Sequence, residues 1–343
     1  MNYSTLHNLQ ILNQPIQIFG INMYTPKVIE KFKVVNIIDD FTDNKFLNGI
    51  PIYKRKYADK TIPVINCAGG KILTTQNLLK NEFDQVIHFS ELLKFSELRL
   101  GDLRFNENFK NVFYLKRKNF EKILNCFHDE ISKIQFNDIL NFRKSYDLEY
   151  LSSFSDKQSE QYFEDFLNLK ENSVFYDIGC YDGSTTKKYF EIVSDDCFAY
   201  YFEPSSKNQK IIEKNLSNLK NIFECKFGLS NQNFNSFFSE NGSQSKLDKT
   251  GTSKISLRRL DDLNLGHPPT LIKIDIEGHE LQALEGMQQT IKAHRPDLAI
   301  ACYHYAEQIL DVFELISSME CYEKISFRHY TESIYESVIF FYN

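Results

Sequence analysis

The sequence predicts an α/β fold in which parallel sheets carry helices on their faces. Short apolar segments alternate with segments of helical spacing between about residues 15 and 95, and the alternation resumes at about residue 171. Such alternation is typical of strand-helix-strand units, whose strands run parallel. The chain has 343 residues, a length expected of about two domains.

Composition and charge favour an ordinary globular protein. Hydrophobic residues make up 42% and charged residues 25% of the chain, and the net charge is -6. An acidic balance argues against nucleic acid or an anionic membrane as the main partner, because both attract basic patches. The seven cysteines form no CxxC pair, and no signal peptide or membrane span is recognised. We therefore expect reduced thiols and a cytoplasmic protein.

Residues 1–95 are predicted to form a small Rossmann-like α/β domain. Its helix TPKVIEKF has a threonine N-cap, a proline in the first turn and apolar residues on one face. A second helix is predicted at ILTTQNLLKN. The predicted strands are IQIFGIN (16–22), KVVNIIDD (33–40), IPVINCAGG (62–70) and QVIHF (85–89).

The segments IFG, IIDD, GIPI and CAGG make this first region similar to the N-terminal half-Rossmann domains of sugar-modifying enzymes. Examples are the sugar acyltransferases that make bacillosamine-type sugars, in which the domain helps to hold a nucleotide-sugar. The glycine-rich turn of such a site is mostly missing here, because only Gly20 follows the first strand. A nucleotide-sugar site and a docking or dimerisation domain both stay open, and the second is favoured.

Residues 96–170 are predicted to form a helical connector. Phe120, Ile123, Leu124 and Phe127 follow helical spacing within a segment of mixed charge. The segment YFEDFLNL (162–169) is predicted to be a helix that lies across the entrance to the second sheet.

Residues 171–343 form the third predicted region, a second α/β domain. Strands are predicted at SVFYDIG, FAYYFEP, NIFECKFGLS, TLIKIDIEG and DLAIACYH, with helices between them and a polar loop or hairpin near residue 240. The last two segments, YEKISFRHY and SVIFFYN, are consecutive strands. They predict a hairpin added to one edge of the parallel sheet.

The stretch VFYDIGCYDGSTT predicts a ligand site at the first strand-to-helix turn of this domain. Gly179 and Gly183 stand four apart, so the middle glycine of the dinucleotide pattern GxGxxG is absent. Carboxylates at Asp177 and Asp182 would repel a pyrophosphate but suit a cationic sulfonium or ammonium group. Glu203 ends the next strand and is placed to accept two ribose hydroxyls. This pattern describes a pocket for S-adenosylmethionine.

The second half of the chain resembles the FkbM-type methyltransferases. The segments YDIGCYDGSTT, YFEPS, GLSN, LDDL, LIKIDIEGHELQALEGM, RPDLAIACYH and FRHYTESIYESVIFF occur in that family's order, over residues 162–343. The resemblance implies a class I methyltransferase fold, Rossmann-like, with a seven-stranded sheet whose last strand is antiparallel. It also implies O-methylation with S-adenosyl-L-methionine, often of sugars in surface polysaccharides or of hydroxyls in secondary metabolites.

The motifs supply the predicted site residues. An alcohol acceptor needs a base near the methyl group, and histidine is the commonest choice. We predict as catalytic residues His304, His329, Asp275 and Glu277. The predicted cofactor-binding residues are Asp177, Gly179, Tyr181, Gly183, Glu203, Ser230 and Asp275, and the predicted substrate-binding residues are His279, His304, Arg328, His329 and Tyr330.

Several alternatives are weighed against this interpretation. Lys273, next to Asp275 and Glu277 on one side of a buried strand, is expected to form a structural ion pair. No metal is predicted, since no HxH or DxD cluster is visible. The acceptor is a small molecule or glycan, including a nucleotide-activated sugar, and a homodimer is left open. The rival functions are an NAD-dependent nucleotide-sugar oxidoreductase or epimerase and a non-catalytic binding scaffold, although the first has no GxGxxG turn and no YxxxK pair on a plausible helix.

Overall fold

A computed structural model describes residues 14–167, 169, 172–193, 196–239, 246–247 and 253–343, and all structural statements concern these residues. Contacts divide the chain into two compact units. The N-terminal unit contains residues up to Lys110 with Asn137–Lys157 and Tyr330–Tyr335. The C-terminal unit contains Asn111–Phe136, Gln158–His329 and Glu336–Asn343.

The N-terminal unit is built on a six-stranded sheet of order β3-β4-β2-β1-β5-β6. The four predicted strands are present, and a short antiparallel β3–β4 hairpin that was not predicted extends the sheet. The other neighbouring pairs are parallel. The strands are β1 (Ile16–Phe19), β2 (Val34–Ile38), β3 (Phe46–Leu47), β4 (Ile50–Tyr53), β5 (Val64–Asn66) and β6 (Val86–His88); the helices are α1 (Thr25–Lys31), α2 (Ile72–Lys80) and α3 (Phe89–Leu92).

The start of helix α1 differs from the prediction by one residue. Thr25 is its first residue rather than its N-cap, and Tyr24 occupies the cap position. The Thr25 hydroxyl instead donates to the Gly20 carbonyl at 2.9 Å and accepts from the Asn22 amide at 3.0 Å. Thr25 therefore closes the β1–α1 turn, and the prediction of a threonine N-cap was wrong.

A carboxylate side chain of the protein itself binds the amino end of helix α2. The Glu332 carboxylate accepts the Thr74 backbone N–H at 2.7 Å and the Thr74 hydroxyl at 2.8 Å. Both residues belong to the N-terminal unit. A helix N-terminus attracts negative charge because its first amides have no partner within the helix. Glu332 therefore already supplies a negative charge at the amino end of α2, close in sequence to the CAGG turn.

The C-terminal unit contains the predicted seven-stranded sheet, in the order β16-β17-β15-β14-β7-β8-β9. Its strand β17 is antiparallel to β15 and β16, so the predicted edge hairpin is confirmed. A four-stranded sheet has the order β10-β13-β11-β12, and most of the predicted polar loop near residue 240 lies outside the described residues. The strands are β7 (Val174–Ile178), β8 (Phe198–Phe202), β9 (Ile222–Cys225), β10 (Gly228–Leu229), β11 (Phe234–Ser239), β12 (Lys246–Leu247), β13 (Ser253–Arg258), β14 (Leu271–Ile274), β15 (Asp297–Ala301), β16 (Lys324–His329) and β17 (Ser337–Tyr342).

Central strands of this sheet are buried on both faces, which explains their nearly continuous apolar sequences. All five residues of β7 are buried. Aromatic rings continue this core into the flanking layer, where Phe175 and Tyr189 stack with centroids 4.9 Å apart. Full burial of one such side chain contributes about 1.5–3 kcal/mol. The carboxyl edge of this sheet is therefore supported by a closely packed core.

Among the described residues of the predicted connector, α-helix is confined to residues 109–145, and short 3-10 helices occur at Ser96–Leu98, Leu148–Leu151 and Gln158–Glu160. Phe120, Ile123 and Phe127 are buried as their spacing predicts. The helix predicted at 162–169 is absent over the described residues, which form turns and bends. Tyr162 has a φ of 74°, a left-handed conformation that a helix does not accommodate. The remaining helices are α4 (Phe109–Leu115), α5 (Arg117–Cys126), α6 (Glu130–Ser145), α7 (Ser184–Ile192), α8 (Ser206–Asn215), α9 (Glu280–Glu285), α10 (Gln288–His294) and α11 (Gln308–Ser317).

Within the described part of the chain, every helix is too short or too polar to cross a membrane.

Candidate active site

A cavity of about 870 Å³ opens at the carboxyl edge of the seven-stranded sheet, within the C-terminal unit. Strand β7 lies at the point where the strand order reverses, with β8 on one side and β14 on the other. Open α/β sheets bind ligands at this point. The lining includes Gln161, Tyr162, Phe163, Gly179, Cys180, Tyr181, Asp182, Glu203, Pro204, Asn208, Lys273, Asp275, Ile276, Glu277, Tyr303 and Glu336.

The turn after β7 requires its glycines for backbone reasons. Gly179 has a φ of +83°, and a Cβ atom there would lie 1.9 Å from the carbonyl oxygen of Asp275. Gly183 has a φ of +86° and caps the amino end of α7. Gly179 therefore lets the end of β7 pack against the end of β14, which brings the functional groups of both strands to one cavity.

A buried ion pair lies beneath this turn. The Lys273 ammonium donates to Asp177 at 3.0 Å and to the Gly179 carbonyl at 2.6 Å, and Thr186 donates to the other Asp177 oxygen at 2.7 Å. Burial lowers the pKa of Lys273, but the carboxylates of Asp177 and Asp275 outweigh it, and the net pKa is raised. The expected structural ion pair is present. Asp177 stabilises the turn through its bonds to Lys273 and Thr186 and does not line the cavity.

Glu203 lies at the cavity wall directly after β8, as its position in the sequence predicts. Its two oxygens accept the backbone N–H groups of Tyr181 at 3.1 Å and of Ser205 at 2.8 Å. Burial raises the pKa of Glu203, and these two hydrogen bonds oppose the rise. A carboxylate oxygen has two acceptor positions, so the carboxylate can also accept ligand hydroxyls. The Tyr181 ring, 48% exposed, lines the same side.

Asp275 and Glu277 line the cavity beyond the end of β14. The Tyr162 hydroxyl donates to Asp275 at 2.7 Å. Burial, with the Asp275 charge beside it, holds the pKa of Tyr162 well above its usual range. Tyr162 therefore stays protonated and orients the carboxylate, while Glu277 turns the chain with a φ of 57°.

His304 is buried between two carboxylates and does not line the cavity. Its ring nitrogens lie 3.2 Å from Glu280 and 3.5 Å from Asp275. Burial alone lowers the pKa of His304, but Glu280, Asp275 and Glu277 raise it to about 9. The ring is therefore protonated at neutral pH. A protonated imidazole cannot accept another proton, so this arrangement argues against the base role predicted for His304.

Ligand atoms of Asp275, Glu280 and His304 lie within 4.8 Å of one another, a spacing that could hold a metal ion. The Glu280 oxygens, however, accept the Ile276 amide at 2.8 Å and the Gln308 side chain at 2.6 Å. With the imidazolium between the two carboxylates, hydrogen bonds and ion pairs account for this cluster. We therefore interpret it as the support of the Asp275 side chain.

Two further predicted residues bond to each other outside the cavity lining. The His279 ring nitrogen and the Ser230 hydroxyl are 3.0 Å apart. Burial lowers the pKa of His279. This pair ties the start of α9 to the end of β10, and neither side chain reaches the cavity wall.

The predicted substrate residues of FRHY also lie outside the lining. The His329 ring is 2.8 Å from the Ser337 hydroxyl, within the β16–β17 hairpin. Arg328 forms ion pairs with Asp129 at 3.2 Å and Glu164 at 3.3 Å. Tyr330 belongs to the N-terminal unit. The cavity wall that faces Asp275 is built by other side chains.

Four side chains of that wall were not predicted as site residues. Tyr303 precedes His304 and could have been found from the same strand end. Glu336 comes just before β17, and the amino end of an antiparallel strand lies at the carboxyl edge of its parallel neighbours. Gln161 and Tyr162 come from a turn without a strand or helix pattern, so the sequence gives no signal for them.

Part of this region matches a known protein family. Residues 177–326 match the family described as "Methyltransferase FkbM domain". The predicted resemblance is thereby confirmed for these residues, and the match supports methyl transfer from S-adenosylmethionine. No curated protein matches the sequence.

One solved structure matches the fold over the whole chain. A methyltransferase FkbM from Methylobacillus flagellatus matches with a TM-score of 0.78 and 19% identity, over 100% of this chain and 94% of that chain. Weaker matches include the Aeropyrum pernix fibrillarin with bound S-adenosyl-L-methionine (TM-score 0.34, 9% identity, 50% of this chain and 67% of that chain). Another is an O-methyltransferase from Thermotoga maritima (TM-score 0.34, 11% identity, 51% and 60%). The first match confirms the predicted fold class.

Proposed function

We propose that this chain transfers a methyl group from S-adenosylmethionine to a hydroxyl of a sugar. The sugar is carried by a nucleotide or by a precursor of a surface glycan. The observation that carries the proposal is one continuous cavity, with Glu203 and the Gly179 turn at one end and a wall of carboxyl and phenol groups at the other.

The first end of the cavity fits the cofactor. S-adenosylmethionine supplies a methyl group made electrophilic by its positive sulfur. Glu203 would accept ribose hydroxyls, because its two oxygens offer more acceptor positions than the Tyr181 and Ser205 amides and the Asn208 side chain fill. Asp275 and Glu277 would hold the ammonium group. Six carboxyl groups and three lysines are among the described residues that line the cavity, and this excess of negative charge supports a cationic ligand.

The opposite wall fits a polyhydroxylated acceptor. Tyr162, Tyr303, Gln161 and Glu336 offer donors and acceptors to hydroxyl groups on one side of the cavity. Ligand pockets are typically about 300–1,000 Å³, and a cavity near the upper limit has room for a cofactor and an acceptor together. Holding the two in line contributes several kcal/mol toward the barrier.

The NAD-dependent alternative is opposed by the turn before α7. A dinucleotide places its pyrophosphate over the N-terminus of this helix. Here the Asp182 carboxylate accepts the Ser184 N–H at 2.9 Å, so a negative charge already occupies that position. The same carboxylate adds to the attraction for a cation.

Mass spectrometry tests the proposal. The protein is incubated with S-adenosylmethionine carrying a deuterated methyl group and with a panel of nucleotide-sugars and simple glycosides. We expect one acceptor to gain a single labelled methyl on oxygen. A label found on nitrogen, on carbon or on no acceptor would contradict the proposed reaction.

A further inference from the structure

We propose that Glu336 is the general base that removes the proton from the acceptor hydroxyl. This inference rests on the proposed function and adds a catalytic residue that neither the sequence analysis nor the family match identifies.

The position of Glu336 follows from strand register. In the antiparallel β15–β17 pair Ala301 lies opposite Val338, and the Cys302 amide donates to the Ser337 carbonyl at 2.9 Å. Glu336 therefore lies just beyond the carboxyl end of β15, where its side chain lines the cavity beside Tyr303. Asp275, Tyr303 and Glu336 thus follow or precede three neighbouring strands at one edge.

The backbone of Glu336 is held in an unusual conformation. Its φ is 66°, in the left-handed region that glutamate seldom adopts. Such outliers persist where the surroundings impose them, and they concentrate at functional sites. The conformation here places a carboxyl group at the cavity wall.

The contacts of Glu336 leave it able to accept a proton. The Gln161 amide donates to one carboxylate oxygen at 2.7 Å. The Tyr303 hydroxyl is 3.4 Å from the other oxygen, a long and weak hydrogen bond. Gln161 therefore orients the carboxylate, while the second oxygen can approach a ligand hydroxyl.

Burial and the groups around Glu336 bring the pKa of its carboxyl group close to neutral pH. Burial and then the Asp275 carboxylate raise the pKa of Glu336 to about 7, while Gln161, the His304 imidazolium and Tyr303 oppose the rise. The buried Tyr162 phenol also faces this group. A general base works best when its pKa lies near the working pH.

Other groups near the cavity are less suited to the role. His304 already carries its proton. Asp275 already accepts the Tyr162 hydroxyl at 2.7 Å and lies 3.5 Å from the His304 ring, so both of its oxygens face other side chains. Glu280 is fully buried and accepts backbone and side-chain donors.

The proton balance of the step is complete. The acceptor oxygen forms a bond to the methyl carbon as the carbon–sulfur bond breaks. The hydroxyl proton passes to the Glu336 carboxylate, which becomes neutral. The sulfonium charge is lost with the methyl group, and S-adenosylhomocysteine leaves with neutral sulfur. Glu336 returns its proton to solvent after product release.

The test compares Glu336→Gln with the matched control Glu323→Gln, a change of a glutamate just before β16. The acceptor is the one found in the labelled-methyl panel. We expect Glu336→Gln to lower kcat by about 10²–10⁴-fold, to leave the dissociation constant for S-adenosylmethionine nearly unchanged, and to remove the acid limb of the pH profile. The control keeps wild-type values.

A second variant and a spectroscopic measurement distinguish loss of the base from misfolding of the Glu336→Gln protein. Gln161→Leu removes the donor that stabilises the charged carboxylate, so the acid limb should move to higher pH. Infrared titration of the cofactor-free protein should show a carboxyl band that ionises near pH 7 and is missing in Glu336→Gln.

The outcomes separate the two proposals. An active wild type with an equally active Glu336→Gln variant overturns the inference alone, as does a carboxyl band that ionises only in the ordinary acidic range of glutamate. A wild type that methylates no acceptor overturns the proposed function, and the inference with it.

Discussion

At the scale of single residues, the site depends on how buried charges are paired. Lys273 neutralises Asp177, and His304 lies between Glu280 and Asp275. Burying an ion is costly unless it is paired and hydrogen-bonded, and removing one partner leaves that cost uncompensated. These pairs therefore fix the positions of the groups at the cavity wall.

The ion pairs of His304 with Glu280 and Asp275 predict that the free energy of unfolding depends on pH. The pKa of this histidine rises from an ordinary 6.5 to about 9 in the folded protein. The stabilisation is complete below the unfolded pKa and is lost as the pH rises through about 9. His304→Gln should lower the free energy of unfolding by about 3–5 kcal/mol at roughly pH 6 and by clearly less at about pH 9.5.

Denaturant unfolding at the two pH values measures this difference, with His294→Gln, at the end of α10, as control. An equal loss at both pH values would show that His304 is neutral in the folded protein.

Glu203 predicts an effect on cofactor affinity. Glu203→Ala removes two charge-assisted hydrogen bonds to ribose, each worth roughly 1.5–3 kcal/mol. We expect the affinity for S-adenosylmethionine to fall by more than about tenfold, or ~1.4 kcal/mol. Calorimetry of this variant and of Glu213→Ala, an exposed change on α8, makes the comparison. Unchanged affinity in Glu203→Ala would remove Glu203 from the cofactor site.

The sequence predicted residues that directly follow a strand better than residues that act through tertiary contacts. Glu203 and Asp275 line the cavity because strand ends meet at one edge, a rule that sequence can apply. Asp177 was expected there too. The alternation of side chains along a strand does not show which carboxylate a buried lysine will pair with, and Lys273 pairs with Asp177. The histidine of FRHY is likewise bonded inside its own hairpin.

At the scale of elements, the turn between β7 and α7 is the part of the site most sensitive to volume. Gly179→Ala would place a methyl group against the Asp275 carbonyl and force a left-handed backbone on alanine. The backbone cost alone is about 1–2 kcal/mol, and the clash adds to it.

We expect Gly179→Ala to unfold at markedly lower denaturant concentration and to lose binding of S-adenosylmethionine. Gly69→Ala is the matched control, because its added methyl group meets no atom within 4 Å. Wild-type stability and affinity in Gly179→Ala would contradict the described packing of β7 on β14.

The amino end of α2 gives a second element-scale prediction. Glu332→Ala leaves the Thr74 N–H and hydroxyl without their carboxylate. Loss of a helix cap costs about 0.5–2 kcal/mol, and we expect a decrease of that size in the free energy of unfolding. Glu323→Ala, just before β16, should change little. A more stable Glu332→Ala protein would mean that the carboxylate is strained and that the position serves another anion.

Strands were easier to predict than the turns and edges between them. Apolar runs identified the strands of both large sheets, whereas the β3–β4 hairpin is short and partly exposed and has no such signal. The edge strand β16 also bonds to a segment far away in sequence: the His128 amide donates to the Ile325 carbonyl at 2.8 Å. Pairing across such distances is a tertiary effect that local pattern does not contain.

At the scale of the whole molecule, the chain combines a region that matches the FkbM methyltransferase family model over residues 177–326 with a second α/β unit. The cavity residues all belong to the C-terminal unit. The Glu332 carboxylate at the amino end of α2 argues against a nucleotide phosphate at the CAGG turn, and a docking or dimerisation role stays the prediction for the N-terminal unit.

The central claim is that this cavity binds S-adenosylmethionine. Isothermal titration of the full chain with S-adenosylmethionine, and separately with NAD, tests it most directly. We expect saturable one-to-one binding of S-adenosylmethionine, weakened by Glu203→Ala, and no heat of binding with NAD. Saturable binding of NAD without binding of S-adenosylmethionine would contradict the claim.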